Sequence, residues 1–147
     1  MYYRLLLSLL LCSAPLFSQA EDAVDCSNAT TTTEINQCMA TRLNNLEAMM
    51  QRYYAQAITR ASQGDEANSP QVTLIEQAQT AWLHYRDREC DAVYQAWSEG
   101  TIRGAMALGC KITLTRARIH TLWQNWIAPM DDAPPDLPEP QFDDDHP

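Results

Sequence analysis

Residues 69–110 read SPQVTLIEQAQTAWLHYRDRECDAVYQAWSEGTIRGAMALGC, and this stretch decides the fold. Ser69 is a good cap residue, and Pro70 suits the first helical position, where a missing N–H costs nothing. Ile75, Ala78, Trp82, Tyr85, Glu89 or Cys90, Val93 and Trp97 follow at helical spacing, and Gly100 is a natural stop. A second helical pattern resumes at about Thr101 and runs to Ile127, where Pro129 closes it. Its predicted apolar face holds Met106, Cys110, Leu114, Ala117, Thr121 and Trp126. Cys90 and Cys110 each lie ten residues from Gly100. If the chain reverses there as an antiparallel helical hairpin, the two cysteines sit at the same height and meet the Cα separation that a disulfide demands.

Upstream, Ile35, Met39, Leu43, Leu46, Met50, Tyr53 and Ala57 form one apolar stripe at steps of three and four. Thr31 stands three residues before Glu34, the spacing of a capping box. Gly64 and the polar residues after it predict a loop ahead of Ser69. Three helices of similar length joined by short loops predict an up-down-up bundle, although one of the long patterns breaking into two shorter helices stays open. Gly104 and Gly109 weaken the third helix by about 1 kcal/mol each relative to alanine. Gly109, beside Cys110, is read as the site of a close backbone approach.

The ends of the chain read differently. Arg4, the apolar run Leu5–Leu11, Pro15 and Ser18-Gln19-Ala20 form a secretory signal peptide over residues 1–20, too short for a stable membrane span. Cys12 follows Leu11 rather than a small residue, which argues against lipid attachment. Cleavage after Ala20 leaves four cysteines, Cys26, Cys38, Cys90 and Cys110, and an even count in an exported chain reads as two disulfides. Spacing favours Cys26–Cys38 with Cys90–Cys110. Crossed pairings stay open, because the start of the first helix also lies near the end of the second. With no C-x-x-C pair, zinc and thioredoxin-like redox roles are disfavoured, and no metal or cofactor is expected.

The net charge is −9 over 147 residues, which argues against a nucleic-acid partner. Seven of the nineteen acids lie beyond Pro129, where there is no Lys or Arg. Residues 21–128 are therefore read as the helical domain and residues 129–147, rich in Pro and acid, as a disordered tail. His84, His120 and His146 lack a nucleophile motif nearby, and Glu76, Asp87, Glu89 and Asp91 scatter around one helix beside Arg86 and Arg88. No enzyme is expected. The sequence class is thus an all-α, disulfide-stapled bundle of three principal helices with a disordered acidic C-terminal tail.

Asp25-Cys26, then Thr33-Glu34-Ile35-Asn36-Gln37-Cys38, then the run QTAWLHYRDREC over residues 79–90, then Gly109-Cys110 with Leu114-Thr115, Arg118 and Leu122 resemble the LprI-like lysozyme-inhibitor domain family. The most specific part is the order of Trp, Tyr-Arg-Asp and Cys in residues 82–90. The resemblance implies an exported, helical, non-enzymatic protein whose partner is lysozyme. The other reading is a structural or interaction module that engages another envelope protein. Of the matched residues, Trp82 is expected to anchor the core. Arg86, followed by Asp87, and Arg118 come from different helices, and each is expected to pair with an acid or with exposed carbonyls, a binding surface being the competing role.

Overall fold

The computed structural model describes residues 24–62, 69–128 and 135–142. The leader, residues 63–68 with Gly64, residues 129–134 and His146 lie outside them. Three helices make up the described chain: α1 (Thr32–Ser62), α2 (Pro70–Ala96) and α3 (Arg103–Leu122), the last running into a π-helical turn, Trp123–Ile127. α3 packs along both other helices, whereas α1 and α2 touch each other much less. The described residues contain no strand. No helix among them is long and apolar enough to cross a membrane.

The helix starts follow their sequence signals. Thr31 Oγ1 accepts from the Glu34 N–H at 3.2 Å, and Glu34 Oε2 accepts from the N–H groups of Thr31 and Thr30 at 2.9 and 3.0 Å. Those bonds hold the Glu34 carboxyl below its usual 4.5, through the backbone N–H of Thr31 first and that of Thr30 second. A depressed carboxylate pKa contributes stability that is present above the unfolded value and lost as pH falls through the folded one. The N-terminal turn of α1 is therefore expected to fray as pH drops below about 4.5. Amide exchange at Thr30, Thr31 and Glu34 should speed up in that window, and Glu34→Gln should erase the pH dependence. Ser69 caps α2 by accepting from the Val72 N–H at 3.2 Å, with Pro70 in the first turn.

The α1 stripe is buried as predicted from Leu43 to Ala57, through Leu46, Met50 and Tyr53. The other two stripes hold only in part, Ile75 and Cys90 of α2 being buried as predicted. α2 buries Val72, Ile75, Gln79, Arg86 and Cys90, while Ala78, Tyr85 and Trp97 are exposed. α3 buries Ile112, Thr115, Ile119 and Leu122 rather than Cys110, Leu114 and Ala117. The reason in α3 is that Cys110 reaches sideways to α2 for its disulfide, so it marks a flank of the helix and not the centre of its buried face. Both disulfides are local: Cys26–Cys38 and Cys90–Cys110, with Cα separations of 5.8 and 5.6 Å.

The close approach predicted at Gly109 occurs instead at Gly104, where a Cβ would stand 2.9 Å from Asn36 Nδ2. A Cβ on Gly109 would meet only Met39 Cε, at 3.5 Å, which is ordinary contact. Gly109→Ala should therefore stabilise the protein by about 0.5–1 kcal/mol through helix propensity alone. Urea denaturation checks this, and a loss of stability would mean that α3 is more tightly seated than these distances indicate.

The reading of residues 129–147 as disordered does not hold for residues 135–142, which lie along α1 and the end of α3. The Tyr53 hydroxyl donates to the Pro138 carbonyl at 2.8 Å, and Trp123 Nε1–H donates to the Leu137 carbonyl at 3.2 Å. Gln56 and Arg60 both donate to Asp136 Oδ2, at 2.9 and 3.0 Å. Leu137 and Phe142 pack against the core, and Pro140 is buried. Few apolar residues suffice here because prolines lower the entropy lost on ordering and bundle side chains satisfy the strap's carbonyls.

Candidate functional site

The residues singled out in the sequence meet where side chains of α2 reach both α1 and α3. Arg86 is the centre, with its side chain 8% exposed. Its Nη1 donates to Glu47 Oε1 of α1 at 2.7 Å and reaches Thr115 Oγ1 of α3 at 3.4 Å. Nε and Nη2 donate to Asp87 Oδ1 at 3.3 and 3.2 Å, and Lys111 Nζ approaches that same oxygen at 3.5 Å. A cation from one helix is thus tied to acids and a hydroxyl on all three. Such an arrangement offsets the large desolvation cost of a buried guanidinium.

One turn away, Trp82 is only half-buried, at the edge of the core rather than within it. It packs against the core from that edge, and its ring also meets charge. Its indole is flanked by two guanidiniums, with the Cζ atoms of Arg86 and Arg118 at 5.2 and 6.0 Å from the ring centroid. Both lie within cation–π range. Arg118, from α3, donates through Nε to the Gln79 side-chain carbonyl at 2.9 Å. Gln79 is itself buried, and its Nε2 approaches Met50 Sδ of α1 at 3.6 Å. Burial holds the Arg118 pKa below its usual range, with the nearby Tyr54 acting in the opposite direction. Tyr54 is pushed up by burial first and by the charge of Glu76 second.

The two arginines therefore differ in kind. Arg86 is saturated by carboxylates, while Arg118 is held by an amide and a ring. Glu47, Gln79, Tyr54 and Thr115 complete the cluster, and apolar periodicity could not reveal them because buried polar residues leave no apolar mark.

Where α1 and α2 diverge, beyond the Lys111–Asp87 contact, lies a cleft of about 530 Å³. Its walls include Asn36 and Ala40 of α1 and Asp91 and Tyr94 of α2, and its floor includes Gly104 and Lys111 of α3. Elsewhere His84 is exposed and His120 lies 3.4 Å from Glu139 of the strap. Among the described residues, no group of three or more His, Cys, Asp or Glu could hold a metal ion. The arrangement suits recognition by charge and aromatic surface.

Comparison with known proteins bears on that surface. An uncharacterized protein of Rhizobium meliloti (strain 1021) is 25% identical over 123 residues, covering 79% of this chain and 88% of that protein. No solved structure gives a significant match. The family model described as lysozyme inhibitor LprI matches residues 25–122, from the residue before the first disulfide cysteine to the last residue of α3, and so takes in both bridges and the whole arginine–tryptophan cluster. This chain belongs to the LprI lysozyme-inhibitor family.

Proposed function

We propose that the protein is an exported, non-enzymatic binding protein that inhibits lysozyme. The observation that carries this reading is the family match across residues 25–122, which covers all three helices and both disulfides. Two disulfides suit an oxidising compartment beyond the cytoplasm, in keeping with a signal peptide over residues 1–20. Familiar c-type lysozymes are basic, and a chain of net charge −9 is drawn to such a partner by long-range attraction that weakens with salt.

Purified protein beginning at Glu21 should inhibit lysozyme in a dose-dependent way, more strongly at low salt than at physiological salt. Because residues 135–142 pack on the bundle, the acidic end is best removed after Phe142, which leaves the strap in place. That truncation deletes Asp143, Asp144 and Asp145 and should slow association and flatten its salt dependence, while inhibition remains measurable. If neither form binds or inhibits any of several lysozyme types, the inhibitor reading is wrong.

A further inference from the structure

Among the described residues, Arg118 has side-chain donors that no protein acceptor takes up. Its Nε is engaged by Gln79, and its Cζ lies 6.0 Å from the Trp82 ring centroid. Among the described residues, no carboxylate lies within 4.0 Å of it and neither Nη donates to a protein acceptor. Neither Nη is sealed from solvent. A partly buried guanidinium, held at Nε and lying beside an indole, with its Nη groups unpaired among the described residues, can take a carboxylate in two parallel hydrogen bonds. The contrast with Arg86, beside the same indole, is sharp: that guanidinium meets two carboxylates of its own chain.

The surroundings suit a carboxylate carried on an apolar body. Leu74, Ala78, Ala81 and Tyr85 are exposed on α2, forming a stripe beside Trp82, with Leu74 64% and Tyr85 54% exposed. Tyr54 of α1 lies close enough to Arg118 to affect its charge. Arginine, tryptophan and tyrosine are the side chains that dominate binding energy at protein interfaces.

We propose that Arg118, positioned by Gln79 and Trp82, is a receptor for a carboxylate side chain of the protein partner. The partner's identity as lysozyme rests on the function proposed above; the carboxylate site does not. The test is a titration of the folded protein with acetate and with benzoate, read by ¹⁵N NMR at the Trp82 indole N–H and the Arg118 Nε–H. Sodium chloride at matched ionic strength is the control. Both carboxylates should give saturable shifts with Kd on the order of 10 mM, benzoate the tighter. Arg118→Gln should abolish them. Arg118→Lys, which keeps the charge and loses the planar fork, should weaken them several-fold and guards against a folding defect in the first variant. Against a lysozyme that the wild type binds, either variant should raise Kd by about 10- to 100-fold. Shifts that are absent, that chloride reproduces, or that survive Arg118→Gln overturn the carboxylate site, even if lysozyme is inhibited. Carboxylate binding by a protein that leaves every lysozyme active supports the site and removes the inhibitor reading instead.

Discussion

Replacing both Cys90 and Cys110 by alanine is expected to lower the stability of the protein by about 3 kcal/mol, or roughly 10–15 °C in Tm. The two cysteines are 20 residues apart in sequence, and chain entropy for a loop of that size accounts for the figure. Position makes the effect global. Cys90 is fully buried, and the bridge joins α2 to α3, the helix that packs along both of its neighbours. Alanine is the proper replacement, since serine would bury a hydroxyl at the same place. The Cys26–Cys38 bridge spans 12 residues and would score nearly as high by loop size alone. Yet it fastens only the segment ahead of α1, which can detach while the three helices stay packed. Calorimetry of the two double-alanine variants separates these arguments. The peripheral variant should lose far less than the central one and show faster amide exchange confined to residues before about Leu43. Equal losses would show that loop entropy decides and position does not.

The same contrast explains what the sequence made legible. Helix number, order and starts follow from caps and turn residues, because Thr31, Ser69 and Pro70 act on their own neighbourhood and need nothing distant. The α1 stripe is legible because its buried positions from Leu43 to Ala57 are all apolar or aromatic. The α2 stripe is not, because two of its five buried positions are Gln79 and Arg86, and exposed Ala78 and Tyr85 supply a false line beside it. In α3 the buried Thr115 hides the register in the same way. The residues that displaced the apolar pattern are the ones that build the cluster around Trp82. The strap was missed for a different reason. Composition records acids and prolines but not that Asp136 meets Arg60 and that the Pro138 carbonyl meets Tyr53.

Arg86→Ala is expected to destabilise the protein by about 3 kcal/mol, and Arg86→Met by much less. Alanine removes the cation that Glu47 and Asp87 share, empties the volume between three helices and strips one face of the Trp82 indole. The loss should fall at the low end of the range for broken buried pairs, because Glu47 and Asp87 are 38% and 52% exposed and can be rehydrated. Methionine keeps most of the volume, supplies a sulfur to the indole and imposes no buried charge, so it should restore most of the loss. Denaturant titration of both variants measures the difference. If methionine is as damaging as alanine, the junction depends on the guanidinium's directed bonds, and Arg86 fixes the mutual register of the helices rather than filling the space between them. Arg118 should behave in the opposite sense. No carboxylate among the described residues loses a partner with it, so Arg118→Met should cost about 1–3 kcal/mol, the penalty for leaving the buried Gln79 carbonyl without its donor, while removing carboxylate binding. The two arginines beside Trp82 would then divide the work, Arg86 holding the helices together and Arg118 facing the partner.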